Sequence, residues 1–114
     1  MIKHGCDLPV ETRVNMRGGE GSVVMRAFLE GGELGKNRLF SQLTLAQGSS
    51  IGYHEHHGES EIFVVKSGNG IFNDNGKEYP IAAGDVCVTP SGSGHSVRCT
   101  GSRELELIAL IILD

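Results

Sequence analysis

Short apolar runs in period-two alternation, cut by glycine turns at intervals of roughly eight to twelve residues, are what most restricts the fold of this chain. Alternation sends successive side chains to opposite faces, so each run suits a strand with one dry and one wet face. The runs are SVVMRAFLE from Ser22, RLFSQLTLA from Arg38, IGYHEH from Ile51, EIFVVK from Glu61 and GIFND from Gly70. They continue with KEYPI from Lys77, DVCVTP from Asp85, HSVRC from His95 and LELIALIIL from Leu105. Nothing between them has a useful helical period. Asn75-Gly76, inside NDNGKE, is the strongest short-range signal for a two-residue hairpin, because both residues accept positive φ. The pattern is that of an all-β sandwich or barrel. The last run is apolar on both faces, which suits a central strand or one covered by a partner subunit.

At 114 residues the chain fits one domain. Residues 1–21 read as an N-terminal extension, with NMRGGEGS a flexible approach, and 22–114 as the domain itself. The net charge of −4, with no basic stripe, excludes nucleic acid as a natural partner. The opening MIKHGCDLPV lacks the apolar core of a signal peptide, and the longest apolar run is nine residues with a glutamate inside, so no membrane segment is expected. Three cysteines, Cys6, Cys87 and Cys99, form no C-x-x-C pair. That argues against a disulfide framework or a thiolate zinc site and for a reducing cytoplasm.

The stretch GYHEHHGESE concentrates the chemistry. In a strand, His54 and His56 share a face with Cα atoms about 7 Å apart, so both imidazoles can meet one ion. Glu61 opens a run in which Phe63 and Val65 share its face. A carboxylate on an apolar face is costly unless paired or bound to a metal. His95 follows the turn PSGSG and is the distant fourth candidate. Read from these residues alone, a solvated turn and a metal site are both open. Three imidazoles and one carboxylate would suit Mn, Fe, Co, Ni or Zn rather than Ca or Mg. His57 faces the other way as a surface or rim histidine, and Glu55 and Glu59 read as solvated, Glu59 lying close enough to the mouth to reach in. Cys99 lies about 13 Å beyond His95 along an extended strand, too far for a metal–sulfur bond of about 2.3 Å.

Both stretches resemble the cupin family. Gly48, His54, His56, Glu61 and Gly68 match G-x5-H-x-H-x4-E-x6-G, and Gly84, Pro90, Gly92 and His95 match G-x5-P-x-G-x2-H-x3-N. Cys99 stands where the family usually has Asn, and the fifteen residues between Gly68 and Gly84 are similar to the spacing of compact single-domain cupins. The resemblance implies a small antiparallel β-barrel, the jelly-roll or double-stranded β-helix. It also implies a divalent transition metal held inside by His54, His56, Glu61 and His95.

Four protein ligands would leave a metal of octahedral habit two open positions, and one carboxylate would leave the centre formally +1. A small anionic molecule is the expected partner: a carboxylate, keto acid or sugar-derived acid. One expectation is a metal-dependent enzyme of unresolved class, lyase, isomerase or dioxygenase. It needs an acid–base residue besides the ligands, for which Tyr53, His57, Glu59 and Tyr79 are candidates. The alternative is a non-catalytic module that binds or senses metal plus ligand. Oxalate-decarboxylase-like activity is a further alternative, weakened because such enzymes usually have Arg three before the first histidine, where this chain has Ile51. Small cupins are usually dimers, and a homodimer is expected.

Overall fold

The computed structural model describes residues 1–114. One antiparallel sheet has the order β1 (Val10–Val14), β2 (Ser22–Leu29), β3 (Asn37–Leu45), β10 (Leu105–Leu113), β5 (Glu59–Ser67), β8 (Val86–Thr89). The other runs β4 (Ser50–Glu55), β9 (Gly94–Cys99), β6 (Asn69–Asp74), β7 (Lys77–Ala82). Their inner faces enclose one apolar core in which Leu43, Phe63 and Leu107 of the first sheet meet Ile51, Phe72 and Val97 of the second. This is the double-stranded β-helix, and every run expected as a strand is one. Asn75 and Gly76 turn the β6–β7 hairpin at φ of 53° and 102°, with Asp74 paired to Lys77. No helix is long and apolar enough to cross a membrane.

Strand β10 is central, between β3 and β5. Its inward Leu105, Leu107, Ala109 and Ile111 are buried, while Ile108 and Leu110 are half-buried and Ile112 exposed on the outer face.

The N-terminal residues depart from the flexible approach expected of them. Val10–Val14 pairs with β2 along its whole length, from Val10↔Arg26 to Val14↔Ser22, and makes the edge of the larger sheet. The segment escaped detection because its pattern is inverted. Glu11 and Arg13 lie opposite the buried Met25 and Val23, hence on the inner side, while Val10 and Val14 face solvent. A short 3-10 turn, Met16–Gly18, then lies against β4, closed by hydrogen bonds from Gly19 N to Met16 O and from Asn15 N to Gly21 O. Glycine is required where they touch: a Cβ on Gly52 would strike the Arg17 carbonyl and lie 2.9 Å from Gly19 N, and one on Gly19 would strike the Ser50 carbonyl.

Candidate metal centre

Strand pairing brings the distant candidates together. His54 of β4 and His95 of β9 are direct partners across the ladder. The β4–β9 register slips between Ile51 and His54, and such an irregularity re-aims the side chains that follow it. His56 lies one residue past β4, yet its N–H donates to Ser93 O and its carbonyl accepts from Gly92 N, so it stays fixed to the turn before His95. Glu61 comes from β5, in the opposite sheet. Three imidazoles thus face one carboxylate across the barrel interior, with one ligand atom of each within 4.8 Å of the others.

The outer nitrogens set which way the rings face. His54 Nδ1–H donates to Gly52 O at 2.7 Å, and His56 Nδ1–H donates to the Glu59 carboxylate at 2.6 Å. His95 Nδ1 meets Thr89 Oγ1 at 2.8 Å, and its ring stacks on Phe63 at 5.1 Å between centroids. All three Nε2 atoms therefore point inward. His95 Nε2 lies 3.1 Å from His56 Nε2 and 3.2 Å from His54 Nε2, and Glu61 Oε1 lies 3.0 Å from the Nε2 atoms of both His56 and His95.

A carbonyl and a carboxylate can only accept, so with neutral rings the Nε2 atoms of His54 and His56 present lone pairs. At most one proton, on His95, is left to share among four acceptors. Acceptors this close repel unless a cation lies between them, so the donor set fits a metal ion, and its imidazole-rich composition suits a transition metal. Outer partners of this kind are what orient metal-binding histidines. Burial pushes His54 below its ordinary pKa, opposed by the Gly52 carbonyl, with His95, Arg17 and His56 lowering it further. The hydrogen bonds from Arg38, more than the one from His56, hold Glu59 below the usual carboxylate value against the effect of burial.

A cavity of about 80 Å³ opens on this cluster. Met25, Leu43, Ile51, Phe63 and Ile111 supply apolar wall, and Arg13, Arg17 and Arg38 supply cationic lining. Ile51 is thus a wall, and the guanidiniums arrive from β1, the turn after it and β3. Arg38 is pinned to Glu59 by two hydrogen bonds, Nε–Oε1 at 2.6 Å and Nη2–Oε2 at 2.9 Å.

Of the acid–base candidates, only Glu59 touches the cluster, from behind His56. It is not the solvated side chain expected, because Arg38 and His56 hold it in place. His57 is exposed and pairs with Glu55 at 3.0 Å. Tyr53 is 48% exposed beside Gly94, and Tyr79 is 43% exposed under the Lys77 ammonium. None of these three lines the cavity. Cys99 donates to Arg103 O, away from the histidines. Sequence reasoning missed Arg13, Arg17 and Arg38. The one available signal was the polar side of VETRV, which alternates like a strand but with its charges inward.

The chain belongs to the cupin family: the Cupin_2 family model, described as a cupin domain, matches residues 41–111. An oxalate-binding protein of Thermotoga maritima is 46% identical over 114 residues, covering 99% of this chain and 94% of that protein. A crystal structure of a predicted oxalate decarboxylase from Thermotoga maritima superposes with a TM-score of 0.95, at 46% identity and full coverage of both chains. The Cnp3 cupin domain of Schizosaccharomyces pombe shares the fold alone, with a TM-score of 0.73 at 10% identity over 94% of this chain and 88% of that one.

Proposed function

We propose that this chain holds a divalent transition metal, Mn, Fe, Co, Ni or Zn, on His54, His56, Glu61 and His95, and binds a small carboxylate anion of the oxalate class beside it. The observation that supports this most directly is the cavity itself: it opens on four convergent acceptors, three guanidiniums share its lining, and no acid–base side chain lines it besides the cluster. A bound ion would supply positive charge and Lewis acidity for an anionic oxygen ligand. The arginines add charge complementarity, and the apolar wall keeps water from competing. About 80 Å³ suits an anion of a few heavy atoms, well short of the roughly 300 Å³ or more of a site for larger ligands. The similarity to an oxalate-binding protein over nearly the whole chain supports the same ligand class.

Elemental analysis of the natively purified protein, followed by calorimetric titration with oxalate before and after chelation, tests this reading. Roughly one metal per chain and oxalate heat that disappears on chelation are expected. A metal-free protein, or heat unchanged by chelation, sinks it. The catalytic reading is favoured by the similarity to a predicted oxalate decarboxylase. Decarboxylation leaves a carbanion that must take up a proton, and no lining residue outside the cluster is suited to deliver one. No formate or carbon dioxide is expected from the metal-loaded protein with oxalate, and steady release of either would move the assignment to the enzyme.

A homodimer belongs to the same reading. Val24, Val64, Val86, Val88 and Ile112 are exposed, and their strand positions put them on the outer face of the larger sheet. Such a face favours burial against a second copy. Sedimentation at micromolar protein should give a dimer, and a monomer there counts against it.

A further inference from the structure

The three guanidiniums of the cavity are not equivalent. Arg13 pairs with Glu11 at 3.0 Å and Arg38 with Glu59 at 2.6 Å, whereas Arg17 has no carboxylate partner. Its backbone is also unusual. Arg17 sits at φ 55°, ψ 33° and Asn15 at φ 53°, ψ 44°, in the left-handed region that residues with a Cβ enter at an energetic cost. Nothing in the local sequence favours this at arginine. The turn is held by its backbone fit against β4, where glycine at positions 19 and 52 lets turn and strand approach closely. The outcome is an unpaired cation lining the same cavity as His54, His56 and Glu61.

Resting on the reading above, we propose that Arg17 is the specificity-determining cation: it receives the second carboxylate of a small dianion whose first carboxylate lies at the histidine cluster. A monoanion would satisfy the cluster and leave Arg17 unpaired. A dianion would satisfy both ends, and its charge would match the formal +1 of the centre plus the +1 of Arg17. The size of the cavity, about 80 Å³, selects a short dicarboxylate, since it admits little chain between the carboxylates. Arg13 and Arg38 are already paired, so Glu11 and Glu59 offset their charge and neither offers a vacant donor fork.

Calorimetric titration of the metal-loaded protein with oxalate and with acetate tests the assignment. Arg17→Asn removes the charge while keeping a residue that tolerates the left-handed region, and Arg17→Lys restores charge without the planar fork. Arg17→Asn should weaken oxalate by about tenfold or more and acetate by less than about threefold. Arg17→Lys should recover part of the loss. Metal content and circular dichroism should match wild type, which separates lost anion contact from a disturbed fold. Oxalate affinity within about twofold of wild type, or equal losses for oxalate and acetate, overturns the role of Arg17 alone. Wild-type protein that carries metal and binds no oxalate overturns this role and the proposed ligand class together.

Discussion

The cavity has a floor and a rim built on different terms. At the floor, His56 and His95 are no more than 2% exposed, and all three imidazoles have their outer nitrogens held. The His95 ring sits among Phe63 and Phe72, so its Nε2 is aimed by the same packing that stabilises the domain. At the rim, Arg13 and Arg17 ride on an exposed edge strand and a turn, held by backbone pairing and two glycine contacts. The histidine cluster lies in or against the core, whereas Arg13 and Arg17 lie on the exposed edge of the domain. The division predicts that floor variants change stability and metal together, whereas rim variants change only anion binding.

The largest separation should come within the floor. His95→Ala removes a fully buried ring from between two phenylalanines and should cost the metal-free protein about 2–4 kcal/mol. His54 is half-buried, and His54→Ala should cost less than about 1 kcal/mol by the same urea titration. Both should abolish tight metal binding by elemental analysis. Equal stability losses would show that burial does not set the hierarchy, and metal content equal to wild type in both would refute the ligand set.

The same division explains what was legible in the sequence. The floor could be read because its residues obey two constraints at once: His54 and His56 share a strand face, and Glu61 interrupts an apolar face where an unpaired charge is expensive. The strands were legible because each buries one alternating side. Convergence of His95 with the others was not legible from spacing. It follows from the β4–β9 pairing, a long-range contact that only the resemblance anticipated. The rim was illegible for a local reason. VETRV turns its charges inward and its valines outward, and a left-handed arginine carries no mark in the sequence. Even Glu59, close to the mouth, reads as solvated in the sequence, because its partner Arg38 is remote along the chain and adjacent only across the β3–β10–β5 arrangement.

Glu59 joins floor to rim, so its variants sharpen the comparison. Glu59→Gln keeps a hydrogen-bond acceptor for His56 but loses the charge, and should weaken metal affinity by about tenfold to a hundredfold. Fold stability at neutral pH should change by less than about 1 kcal/mol, because Arg38 is 41% exposed and stays in contact with water when the pair is broken. Competition with a chelator reads the first effect and urea titration the second; unchanged metal affinity would show that Glu59 is only a surface partner of Arg38.

Acid should dismantle the metal-free protein in two stages. The folded state resists protonation of His54, while the unfolded chain takes up that proton near 6.5, so stability falls as pH drops below about 6.5. Glu59 has the opposite charge and the same sign of linkage. Its depressed folded value adds stability above the ordinary 4.5, lost as pH falls through the folded value. Urea titrations across that range should show both stages, and His54→Ala should remove the upper one. A pH-independent unfolding free energy between 7 and 5 would contradict the first stage.

The smallest effects should come from residues that looked chemically apt in sequence and lie outside both floor and rim. Tyr53 and Tyr79 are 48% and 43% exposed, and His57 reaches only Glu55 in an exposed pair, a contact of little energetic value. Tyr53→Phe, Tyr79→Phe and His57→Ala should each alter stability by less than about 0.5 kcal/mol, with metal content and oxalate affinity unchanged. Tyr53 is the most demanding of the three because its ring packs against Gly94, next to His95. The Phe substitution keeps the ring against Gly94 and deletes the hydroxyl, which also lies there. A loss of oxalate binding in Tyr53→Phe would therefore place a phenol in the binding chemistry and break the boundary drawn between the lined cavity and the outer face of β4.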